Sequence, residues 1–203
     1  MQVSFRSNLR EVERGLSDLA RKQVPFATSL ALNATAGKVA EAAGDLLTRR
    51  LDRPTPFTQR AFAVRRSSRA TLAASVFAKD AQAAYLTFAE SGGERAPKKR
   101  ANVIPAGLRL NSFGNMPRGA IKRALARPDV FSGRPKGGKP RPPGIYERTG
   151  KGGRGALRRL VLYTGAASYS PRLGFAEEAR RVAEANMARE FEASLRRALA
   201  TAR

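Results

Sequence analysis

Apolar positions recur at helical spacing near both ends of the chain and at shorter spacing between them. Phe5, Leu9, Val12, Leu16 and Leu19 fall on one stripe, with Ser17, Asp18 and several Arg and Glu residues between them. Pro25 interrupts the stripe, which resumes in phase through Leu30, Ala34 and Gly37. The pattern predicts either a kinked helix or two helices, the second holding Pro25 in its first turn. That second, Ala-rich stretch runs to about Leu51, and Arg53-Pro54-Thr55-Pro56 ends it.

From Phe57 to Lys79 the period shortens. Phe57, Phe62 and Val64, then Leu72 and Ser75-Val76-Phe77, predict two strands joined by a turn at Arg65–Arg69. Tyr85, Leu86 and Phe88 mark a short helix over Ala81–Glu90, stopped by Ser91-Gly92-Gly93. A turn at Asn111–Pro117 precedes a second short helix, Arg118–Leu125. Pro142–Arg148 and Leu157–Tyr163 bracket a Gly-rich turn and predict a β-hairpin.

The last long helix spans Phe175–Arg197. Phe175, Ala179 and Val182 lie on one side of its wheel. Met187, Phe191 and Leu195 lie nearly opposite, with Leu199 further round and Asn186 at the changeover. Two readings stand. Either the second half meets another subunit, or a bend near Asn186 keeps both halves on one core. The elements together predict an α+β fold: a small antiparallel sheet flanked by long N- and C-terminal helices, with extended basic loops. Residues 1–203 are expected to form a single domain, with 91–155 as a basic, Gly/Pro-rich extended segment inside it.

Charge changes this picture most. The chain carries a formal net charge of +23 over 203 residues. Between Ser91 and Ser170, 18 Lys or Arg face 3 Asp or Glu, a net of +15, and most of the Gly and Pro lie there too. Such a stretch is expected to be loop-rich, with Phe131–Gly144 its most basic and least structured piece. A charge of this size draws phosphate backbones, anionic surfaces or acidic proteins. Cysteine and histidine are both absent, which removes disulfides, thiolate metal sites and the commonest general base. No apolar run approaches the ~20 residues that span a bilayer. The first residues carry no apolar secretory core, so no secretory signal is expected.

Candidate chemistry is sparse. Gly133–Lys139 fits G-x-x-x-x-G-K, but Pro140 stands where a Ser or Thr would hold magnesium. Gly150–Gly155 contains G-x-G-x-x-G, yet a strand follows it and not a helix, so no helix N-terminus cradles a phosphate. Glu94, Asp129 and Glu147 are too widely spaced to read as an acid/base or metal pair, and Ser67-Ser68 have no base to activate them. No enzymatic activity, cofactor or metal is expected. The chemical signal is the set Arg134, Lys136, Lys139, Arg141, Lys151 and Arg154, interleaved with Gly and Pro and almost no aromatic residue. That composition favours neutralising a backbone over stacking on bases; the other readings are a solvated, charge-repelled loop or an arm ordered by an acidic protein neighbour.

The residue order resembles phage minor tail proteins of the lambda Z, or tail-completion, type. The resemblance is carried by the first helix running into Val24-Pro25-Phe26-Ala27, the Arg-rich strand pair, and Tyr85-Leu86 followed by Glu90–Gly93. Leu110–Gly119, Pro142-Pro143-Gly144-Ile145 with its Arg-rich hairpin, and the C-terminal Arg/Glu/Ala helix extend it over most of the chain. It implies a structural virion protein of a long-tailed phage: a tail-completion or neck subunit at the head-proximal end of the tail, joining tail to head. It implies a homo-oligomeric ring of six around the DNA channel, contacting tail terminator, tail tube or neck proteins and, in the channel, DNA. It places the protein in the virion, and in the host cytoplasm during assembly. The subunit interface then falls on Met187, Phe191, Leu195 and Leu199. The alternative from charge alone is a sequence-neutral DNA-binding protein that uses its basic loops.

Overall fold

A computed structural model of the chain describes residues 19–97, 99–136, 140–150 and 156–201. The helical stripe expected over Phe5–Leu16 lies outside these. The fold is α+β, with long helices near both ends and antiparallel sheets between them. The described residues cluster into two compact units: those within 19–50, 56–84 and 173–201 form the first, and those within 51–55 and 85–172 the second.

The helical unit is built on α1, Val24–Arg50, and α5, Phe175–Ala200. A π-helical turn, Leu19–Gln23, runs directly into α1. Pro25 supplies the reason: it has no N–H to donate four residues back, and its ring crowds that carbonyl, so the preceding turn widens. Pro25 lies in the first turn of α1, and the first helical stretch that both sequence readings share lies outside the described residues. After α1, Arg53 takes a left-handed φ of 46° just before Pro54, and a short helix α2, Pro56–Gln59, follows. Phe57, expected in a strand, lies in that helix. β1 (Phe62–Arg65) pairs with β2 (Ser75–Ala78), and the connection is longer than the expected turn, covering 66–74. Asn33 of α1 pins that connection, accepting from Ser67 N at 2.8 Å and donating to Ser67 O at 3.1 Å.

α1 and α5 pack antiparallel. Arg49 meets Glu178 at 3.1 Å, Lys38 reaches Asn186 at 3.2 Å and Glu190 at 2.6 Å, and Thr35 lies 3.9 Å from Met187. The buried residues Ala27, Ala31, Thr35, Val39, Ala43 and Leu47 form one row at four-residue spacing. On α5 the matching row is Val182, Asn186, Glu190, Ser194 and Ala198, with Val182, Ser194 and Ala198 buried. A four-residue step advances about 40° round the helix, so a contact that follows this row turns gradually from one side to the other. That accounts for the change of side across Asn186: α5 is one uninterrupted helix, and both its halves follow α1 of the same chain.

The second unit holds α3 from Tyr85 on (the helix spans Asp80–Ser91), α4 (Ala120–Leu125) and six strands. β3 (Gly93–Arg95) pairs with β8 (Ala167–Tyr169). β4 (Asn102–Pro105), β7 (Leu157–Thr164), β6 (Gly144–Arg148) and β5 (Val130–Gly133) form a four-stranded antiparallel sheet in that order. The β6–β7 hairpin is the predicted one. β4 and β5 lie where loops were expected, and Phe131–Gly133 forms a strand in the stretch expected to be least structured. Each is only four residues long and flanked by Pro, Gly or cations; it is held by pairing to β7 or β6, which local pattern does not reveal. Ile145 is 0% exposed and Tyr146 1% exposed, so this basic stretch does bury a core. At Gly144 the chain passes so close to the Val161 carbonyl oxygen that a Cβ would collide with it.

Leu47→Ala removes a fully buried side chain from the α1–α5 contact and is expected to cost about 2–5 kcal/mol. Leu199→Ala, on the exposed end of α5, is expected to stay within about 0.5 kcal/mol. Urea unfolding of the two variants followed by circular dichroism checks both, and equal losses would contradict the assigned packing.

Candidate functional site

The four-stranded sheet has two chemically different faces, and the register of its strands decides which residue goes where. Directly opposed residues in antiparallel strands point to the same side. One face therefore carries Val130, Ser132, Ile145, Glu147, Arg158, Val161 and Tyr163. α4 packs here: Ala124 joins Val130, Ile145, Leu160 and Val161 in the core, with Leu108, Ile121 and Tyr163 against it. The register shifts by one residue between Ile145 and Tyr146, leaving Leu160 as the extra residue of a bulge on β7. Ser132 Oγ and Tyr163 Oη share a hydrogen bond of 2.8 Å across β6 on this face.

Two of the three acids of the segment, Asp129 and Glu147, are gathered at the edge of the same face. Arg127 Nε donates to Asp129 at 3.1 Å, and its other nitrogen bridges Asp129 and Glu147. Arg158 lies 3.8 Å from Glu147 and donates to Gly107 O at 3.1 Å. The hydrogen bond from Arg127 holds the Asp129 carboxyl below the ordinary aspartate value, and the same bond raises Arg127. Asp129 and Glu147, far apart in sequence, thus meet on one guanidinium. Glu94 does not join them; it sits in β3 opposite Ser168. Among the described residues no group of three acids is placed to hold a metal ion.

The other face carries Phe131, Tyr146 and Arg159 in one row, Arg148 and Leu157 in the next, and Ile104 with Leu162 beyond. Phe131 stacks on Tyr146 with centroids 6.0 Å apart, and the Arg148 guanidinium lies over the Phe131 ring at 4.4 Å. The Tyr146 hydroxyl donates to Pro142 O at 2.6 Å, which lays the Arg141–Pro143 segment along this face. Arg141 Nη1 then reaches Leu157 O at 3.0 Å. Arg141, Arg148 and Arg159 are all exposed.

Of the basic residues expected to make contacts, Arg141 joins this face, while Arg134 and Lys136 follow β5 and are exposed. Lys139, Lys151 and Arg154 lie outside the described residues. Arg148 and Arg159 were missed. Arg148 shares a face with Tyr146 by simple alternation, a signal present in the hairpin pattern, but the bulge at Leu160 hides the phase of Arg159. Met187, expected at a subunit interface, is half-buried and lies 3.9 Å from Thr35 of its own chain. Phe191 and Leu195 are half-buried beside the α1 contact, and Leu199 is 43% exposed. Ser67 is buried, and its hydroxyl donates to Thr71 O at 2.9 Å within the β1–β2 connection, a structural part.

On the helical unit, the hydrogen bond from Arg181, with Arg49 adding to it, lowers Glu178, and that from Lys38 lowers Glu190. Both acids sit beside the α1–α5 contact. Among the described residues no helix is long and apolar enough to cross a membrane.

A carboxylate with a depressed folded-state pKa adds stability above its unfolded value, and that stability is lost as pH falls through the folded value. For Asp129 the loss begins near pH 4 and continues below it. The urea midpoint of the unmodified chain is therefore expected to drop more steeply than that of Asp129→Asn as pH falls below about 4. Parallel pH profiles for the two proteins would remove the Arg127–Asp129 pair from the stability of this unit.

No family model, curated protein or solved structure matches the chain.

Proposed function

We propose that this chain is a structural virion protein of a long-tailed phage: a tail-completion or neck subunit that forms a ring at the head-proximal end of the tail and joins tail to head. The observation that carries the reading is the display of large apolar side chains among cations on both units. Phe57, Leu72, Phe77 and Leu199 are exposed on the helical unit, and Val103, Ile104, Leu110, Phe113 and Leu125 on the sheet unit. Val103 and Ile104 lie on β4, an edge strand of the four-stranded sheet, where exposed apolar side chains and unpaired backbone groups suit a neighbouring chain. The sequence resemblance to tail-completion proteins of the lambda Z type points the same way.

In this reading Phe191, Leu195 and Leu199, on the flank of α5 beside the α1 contact, meet the next copy in a ring of six. A ring of identical chains needs a head-to-tail contact, in which this patch meets a different surface of its neighbour. The outer faces of the ring dock on tail terminator, tail tube or neck proteins. The role is one of assembly and requires no reaction.

Phage particles made without this protein are expected to show defective tails or unjoined heads and tails in negative stain; normal infectious particles would overturn the proposal. Leu199→Glu is expected to lower the oligomeric fraction in sedimentation velocity while leaving the thermal unfolding midpoint in place. An unchanged oligomer distribution would remove this end of α5 from the interface.

A further inference from the structure

We infer that the face of the four-stranded sheet opposite α4 binds the backbone of duplex nucleic acid, without reading its sequence, through Arg141, Arg148 and Arg159. The inference does not rest on the tail reading and would hold equally for a free-standing protein. Three observations converge on it.

The first is the separation of charge. Asp129 and Glu147 are both taken up on the α4 side by Arg127 and Arg158. Among the described residues no carboxylate pairs with Arg141, Arg148 or Arg159, so their counter-charge comes from outside the unit. The second is preorganisation. Arg148 is held over Phe131, and Arg141 is tied to Leu157 O. Fixing these heads in advance lowers the side-chain entropy lost on binding. The third is spacing. Arg148 and Arg159 are diagonal neighbours on β6 and β7, about 7–8 Å apart at the backbone, on an exposed surface. Cations spread this way over a sheet suit an extended polyanion better than a single small anion, which needs donors converging on one point.

The aromatic residues narrow the class of polyanion. Tyr146 is buried, and the Phe131 ring is already covered by Arg148 on one side and stacked with Tyr146. Neither offers a bare ring to a splayed base, so single-strand stacking is disfavoured and phosphate contact remains. Duplex DNA presents one charge per ~1.7 Å of axis, which answers the dense cation content of this segment.

The test uses the full-length chain and a short duplex of arbitrary sequence, with affinity measured by fluorescence anisotropy across a salt series. Each lost phosphate contact makes the slope of log K against log salt shallower by about 0.9, so R141Q/R148Q/R159Q together are expected to remove about 2.7. The charge-matched set R50Q/R60Q/R66Q on the helical unit is expected to change it by less than about 1. Equal losses in both sets, or none in the first, would overturn the assignment. A triple variant that keeps its duplex slope but no longer binds polyglutamate would hand the face to an acidic protein, and would overturn it too. Circular dichroism melting verifies that the fold is intact. Should the triple variant unfold, R159Q alone decides, because among the described residues no ring contact or hydrogen bond anchors its head; its expected change is about 0.9.

Discussion

In the middle of this chain, cations outnumber acids six to one, and the local structure is arranged round that imbalance. A guanidinium cannot be left in a protein interior without a partner. Only two carboxylates of the segment stand near the sheet core, and both are used on the side where α4 closes it. The remaining arginines are driven to solvent or onto the opposite face. The segment still folds because apolar residues on paired strands, Val130, Ile145, Leu160 and Val161, meet Ala124 and Ile121 on one side. Composition alone points to a loop; burial of these few side chains makes it a sheet.

The helical unit meets a different constraint with small residues. Ala27, Ala31, Thr35, Ala43 and, across the contact, Ser194 and Ala198 leave little between the helices, so side-chain volume does not hold them apart. Larger residues, Val39, Leu46, Leu47 and Val182, supply the apolar burial. The charged groups at the edge are complementary: Lys38 with Glu190 and Arg49 with Glu178 bridge α1 to α5 at two levels. These pairs are partly solvent-accessible and weak individually.

The two units offer different surfaces to the outside. The helical unit presents an apolar flank and end on α5, which suits a like neighbour. The sheet unit presents a basic face on which Arg141 and Arg148 are held in place and Arg159 is free to turn.

Much of the architecture was legible in the residues. The α1 helix with Pro25 in its first turn, the β1–β2 strand pair, α3 ended by Gly92 and Gly93, the β6–β7 hairpin and α5 all follow from spacing and punctuation, because each signal is local. β4 and β5 were not legible: Val103-Ile104 and Val130-Phe131 become strands only through partners distant in sequence. The charge of the middle segment belongs to the composition. Which arginines face outward together does not. Strand register and the bulge at Leu160 make Arg159 a diagonal neighbour of Arg148, while Arg141 reaches the Leu157 carbonyl on the adjoining strand. Likewise, the wheel of α5 displays two apolar sides, but only the packed helix pair reveals a single row turning round α5, with Met187 against Thr35. Tertiary contact decided these points because a side chain's direction depends on what its backbone pairs with, and that partner is not written in the neighbouring residues.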